Sequence, residues 1–183
     1  MERAQVSAKA ANRKAAPTED ELVTALWARN IRVFPKTGAS RSLSDAELIC
    51  GLLTSSEVRF QLAVIPLLLG RPTCDIAVGH VLGSLSPSGR ETLACYYQAA
   101  TYIQYLERDR LVAKHWLQDL FSDQLSLPSA AQLKDRPAQL EEALKATARL
   151  QAEMTGLDLN WVDTYGGAAR FAFKTKDDAP SQH

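Results

Sequence analysis

The sequence predicts an all-α fold, a single-domain helical bundle packed around one long central helix, and three observations carry that prediction. Neither glycine nor proline occurs between Arg90 and Leu125. Apolar residues recur at three- and four-residue spacing through most of the chain, the period of a helix with one buried face. Two of the periodic segments follow a capping box, Thr18-Glu19-Asp20-Glu21 and Ser44-Asp45-Ala46-Glu47, in which cap hydroxyl and glutamate satisfy each other's free amides. At 183 residues and 46% hydrophobic composition, the chain can fill one core without disulfides or metals.

Residues 1–17 are alanine-rich and basic, with Arg3, Lys9, Arg13 and Lys14 against Glu2 and no sustained apolar face, so a disordered arm is expected. The helical domain then occupies 18–173. Leu22, Val23, Leu26 and Trp27 form the inner side of a first helix reaching Asn30, and residues 31–34 suit a short extended piece ahead of a Pro35 and Gly38 connector. The second helix buries Leu48, Ile49, Leu52 and Leu53. A third, starting at Ser55 or Ser56, is apolar on most sides up to Leu69, with Pro66 removing one ladder bond and bending it. Residues 73–85 read as a fourth helix, weakened by Gly79 and Gly83.

The central helix is read over 86–121. Ser86 caps it and Pro87 suits its first position, where a missing N–H costs nothing. Leu93, Tyr97, Ala100 and Ile103 make one stripe; Ala99, Tyr102, Leu106, Ala113, Trp116 and Leu120 make another. A helix of this length would run roughly 50 Å at 1.5 Å per residue, which leaves room for a bend at Glu107-Arg108-Asp109-Arg110. Trp116 is expected in the core. After a loop at Leu127-Pro128-Ser129, a helix from Pro137 to Met154 ends at Gly156, and residues 160–173 are helical by spacing, with a strand as the alternative over 169–174. The polar tail, 174–183, is expected to be loose.

Composition removes several function classes. Lysine plus arginine equals aspartate plus glutamate at 21 each, so no field of one sign favours broad binding to nucleic acid, and the basic arm would bind it weakly at most. Low net charge permits association with a partner or a second copy. Cys50, Cys74 and Cys95 are widely spaced and read as buried reduced thiols of a cytoplasmic protein, with no CxxC pair to activate one. The N-terminus lacks the apolar core of a signal peptide, and the longest apolar run, 62–69, is too short to span a bilayer. His80, His115 and His183 lie too far apart in the chain to make a metal motif, and the glycines match no phosphate-binding loop, so no cofactor is expected.

Two patterns bear on function. Tyr96, Tyr97, Tyr102 and Tyr105, with Trp116, place aromatic residues on the central helix as core or as a protein interface; without interleaved basic residues they do not make a base-stacking platform. Arg110-Leu111-Val112-Ala113-Lys114-His115 resembles the Arg-x4-6-His motif of the HEPN family of helical, metal-independent ribonucleases. The resemblance implies that His115 would handle protons at a ribose 2′-hydroxyl while Arg110 holds the phosphate. Leu111 stands where that family usually has a polar residue. On a regular helix the two side chains diverge by about 140°, so one site would need a helix break or a second subunit.

The phrases Ser44-Asp45-Ala46-Glu47-Leu48-Ile49, Ala63-Val64-Ile65-Pro66-Leu67-Leu68-Leu69, Tyr96-Tyr97-Gln98-Ala99-Ala100-Thr101-Tyr102-Ile103-Gln104 and Leu159-Asn160-Trp161 resemble landmarks of a little-characterised group of bacterial all-helical proteins. That resemblance implies a partner of a minimal nucleotidyltransferase in a pair similar to toxin–antitoxin modules. The reading is therefore a non-catalytic interaction or regulatory subunit. The alternatives are a HEPN-like ribonuclease using Arg110 and His115 and, third, a nucleic-acid adaptor using the N-terminal arm.

Overall fold

The computed structural model describes residues 15–39, 41–111 and 116–173, and it is all-α, with no strand among them. Both capping boxes form. Thr18 and Glu21 close the start of α1 (Glu19–Trp27), and Ser44 and Glu47 close the start of α2 (Asp45–Thr54). Arg41 reaches both caps, lying 3.5 Å from Glu21 and 3.6 Å from Glu47, and its Nη1 donates to the Ala15 carbonyl at 3.0 Å. A second arginine ties the same two helices. Arg29 donates to Asp45 at 2.7 Å and to the Leu43 and Ala25 carbonyls, and the Asp45 carboxylate also accepts from the buried Cys74 thiol. Asn30, in the left-handed region at φ 62°, closes the turn after α1.

The expected third helix is two, α3 (Val58–Leu62) and α4 (Val64–Gly70), and the break falls at Ala63, before Pro66. That position puts Pro66 in the first turn of α4, where its missing N–H leaves no ladder bond unmade. After a 3-10 turn at Pro72–Cys74 comes α5 (Asp75–Leu82).

The central helix, α6 (Pro87–Leu106), is enclosed: from Leu93 to Gln104 no residue is exposed, with α8, α4, α9 and α2 packed around it. It is shorter than the reading over 86–121. The exposed run from Arg108 to Arg110 turns the chain, and Leu111 re-enters the core. Carrying on to Phe121 would add roughly 22 Å at 1.5 Å per residue and take Leu111, Leu117 and Phe121 away from the apolar residues that bury them. Instead, residues 116–121 lie back on α6 without helical structure, and side chains of α6 supply the missing hydrogen bonds. Gln104, itself buried, accepts from the Leu117 amide at 2.8 Å and donates to the Leu117 carbonyl at 3.2 Å, acting as a peptide unit would; Tyr97 donates to the Gln118 carbonyl at 2.9 Å and Tyr102 to that of Pro128 at 2.6 Å.

A short α7 (Ser122–Leu125) and a 3-10 turn at Ala130–Leu133 lead to α8 (Pro137–Thr155). Gly156, at φ +65°, ends α8 with its amide on the Ala152 carbonyl, the left-handed cap that favours glycine. Asn160 caps α9 (Trp161–Ala169), and a 3-10 turn at Arg170–Ala172 brings Phe173 to an isolated antiparallel bridge with Leu111. The strand alternative over 169–174 is thus reduced to that one bridge within the described residues.

Candidate functional site

The five aromatic residues placed on the central helix separate into two environments. Tyr96, Tyr97 and Tyr102 have no exposed surface, so they are core and present nothing to a partner. Tyr96 packs edge-on to Tyr165 at 6.0 Å between ring centroids and at 6.5 Å from Trp161, while Tyr97 meets Phe121 edge-on at 5.2 Å. Burial pushes all of these hydroxyls toward the neutral form, Tyr102 up to about 12. Two buried thiols behave alike: Cys74 and Cys95 are each pushed up to about 12, first by burial and then by a nearby carboxylate. Neither is a nucleophile near neutral pH.

Tyr105 and Trp116 are different. They stack face to face at 5.0 Å with 10° between ring planes, and Trp116 is 47% exposed, which overturns its expected place in the core. The cause is the end of α6: Leu117 takes the inward position on the returning segment, and its anchoring by Gln104 leaves its neighbour Trp116 facing outward on the last turn of the helix. Leu120, 43% exposed, lies on the same returning segment. The site is a flat aromatic pair standing on a rigid support.

Arg110 does not sit free in a cleft. Its Nη1 donates to Glu107 at 2.9 Å, and its guanidinium lies 4.3 Å from the centre of the Phe173 ring, which fastens the turn after α6 to the residue that follows the 3-10 turn at Arg170–Ala172. His115 lies outside the described residues, as do Arg3, Lys9, Arg13, Lys14 and the tail from 174. No group of three or more histidine, cysteine, aspartate or glutamate side chains is placed to hold a metal among the described residues. No single helix there is long and apolar enough to cross a membrane.

The residue that organises the site, Gln104, escaped the sequence reading. A glutamine on the buried face of an otherwise apolar and aromatic helix is the signal, because a buried amide needs partners and a helix has none to spare. Comparison of the chain with protein-family models, with curated proteins and with solved structures found no match.

Proposed function

We propose that this protein is a non-catalytic interaction or regulatory subunit of a bacterial two-protein module, working in the cytoplasm, with the Tyr105–Trp116 pair as its anchor on the partner. The sequence resemblance points to a nucleotidyltransferase as that partner. The observation that carries the proposal is the half-exposed Trp116 stacked on Tyr105. Tryptophan and tyrosine dominate interface hot spots, because a large ring already held in place loses little entropy when a partner covers it. Trp116 meets that condition through Tyr105 beneath it and through the hydrogen-bonded Leu117 beside it.

The test is affinity capture of tagged wild-type and Trp116→Ala proteins expressed in the source cell. Wild type is expected to bring down a nucleotidyltransferase stoichiometrically, and Trp116→Ala to lose it while melting cooperatively near the wild-type temperature. Capture undiminished by the substitution would remove the aromatic pair from the interface. RNA cleavage without added metal, abolished in both His115→Ala and Arg110→Ala, would replace the interaction reading with the ribonuclease one.

A further inference from the structure

A cleft of about 160 Å³ opens between α3, the start of α4 and α9, away from the residues of the aromatic pair. Leu62, Ala63, Ala168 and Phe171 give it apolar walls, and Arg59 stands at its edge. An apolar cavity of about 150 Å³ holds one benzene ring. Gly167 lines the cleft on its α9 side, and neither close packing nor backbone conformation requires a glycine there. A Cβ added at Gly166 or Gly167 would meet no atom within 4 Å, and neither residue has a positive φ. Glycine inside a helix weakens it relative to alanine. At Gly167, which lines the cleft, there is open space for a side chain.

Arg59 supplies the polar end. Its Nη2 donates to the Val33 carbonyl at 2.9 Å and its guanidinium lies 4.8 Å from the centre of the Phe34 ring, which in turn stacks on Phe60 at 4.3 Å. The guanidinium is therefore held in one orientation, and no carboxylate pairs with it among the described residues. Its remaining N–H groups make a planar fork, which fits the two oxygens of a carboxylate better than a point charge would.

We infer that this cleft binds a small monocarboxylic acid with a ring-sized apolar body, the body between Leu62, Gly167 and Phe171 and the carboxylate on Arg59. The inference is independent of the interaction reading, since the two sites share no residue. It is tested by titrating the isotope-labelled full chain with phenylacetate and following backbone amide resonances. Saturable shifts are expected at Gly167, Ala168 and Phe171. Phenylacetamide, which keeps the shape and lacks the charge, should bind about tenfold more weakly, and Arg59→Met should weaken phenylacetate by a similar factor.

Gly167→Leu should fill the cleft and abolish the shifts, with Gly167→Ala as a milder version if leucine unfolds α9. Gly79→Leu is the control, because it too adds a side chain into open space, on α5, and should change nothing. Absence of saturable shifts at the three amides in wild type would overturn the inference. So would equal affinity for acid and amide, or binding undiminished by filling at Gly167.

Discussion

Trp161 and Trp116 each pack against tyrosine, Trp161 tilted against two rings and Trp116 stacked on one, yet one is 2% exposed and the other 47%. Trp161 sits at the start of α9, where Tyr96 and Tyr165 close over it from two helices. Trp116 has Tyr105 beneath it and solvent above. Both clusters are built from tryptophan and tyrosine, but the number of elements that reach them differs. The buried cluster sits midway along α6, where helices surround it; the other sits at the helix end, where the chain itself turns away. Aromatic content therefore reports core in the first place and an available surface in the second.

Alkali should separate the two regions most strongly. Cys74 and Cys95 hold their protons to about 12 against an ordinary 9.0, and Tyr102 to about 12 against 10.0, so each binds its proton more tightly folded than unfolded. The stability this contributes is complete below about pH 9 and is lost as the pH rises toward 12. Helix content followed by circular dichroism should collapse in that window. Partial burial raises Tyr105 as well, but in a spectrophotometric titration it should ionise first of the five tyrosines, while helix content is still intact. Simultaneous ionisation of all five would contradict its separate environment.

Substitution gives the next largest contrast. Trp161→Ala should cost about 3–5 kcal/mol in denaturant unfolding, the usual loss for a large aromatic removed from a packed core. Gln104→Leu should cost about 2–3 kcal/mol, because it keeps the volume and leaves the buried Leu117 amide and carbonyl without their partner. The same variant should loosen the Tyr105–Trp116 stack, read as a red shift of Trp116 fluorescence in a background with the other tryptophans replaced by phenylalanine. Trp116→Ala should cost about 1 kcal/mol, the worth of one aromatic pair at a surface. A loss as large as that of Trp161→Ala would mean that Trp116 belongs to the core after all.

Helices whose ends carry local chemistry were legible in the sequence. Thr18, Ser44 and Ser86 cap where their hydroxyls predict, Gly156 terminates α8, and the apolar periodicity matches the buried face of α2 and that of α8 as far as Thr147, beyond which Leu150 is only partly buried and Met154 is exposed. The end of α6 was legible only as room for a bend at Glu107–Arg110; that the helix stops there and does not resume over 116–121 was not. Nothing in 107–121 forbids helix locally; the turn is set by the position of the apolar core beside α6 and by the side chains of Gln104 and Tyr97, which are tertiary facts. Of the candidate interface, Tyr105 and Trp116 reach the surface, and Tyr96, Tyr97 and Tyr102 do not, for the same reason. Gly166-Gly167 is legible in the sequence only as a weakness of the last helix, and Arg59 not at all, the two being more than a hundred residues apart and meaningful as a cleft only once α3 and α9 are side by side.

The pairing of Gln104 with Leu117 also sets how that part of the chain moves. Amides outside helices commonly exchange with solvent through small local openings, whereas the Leu117 amide is held by a side chain rooted in the enclosed stretch of α6. Freeing it leaves the buried Gln104 amide without its partner and uncovers the Leu117 side chain, so its deuterium uptake should be slower than that of an ordinary loop amide. A segment without regular secondary structure is thereby anchored to the central helix, and Trp116, one residue away, is held at the surface.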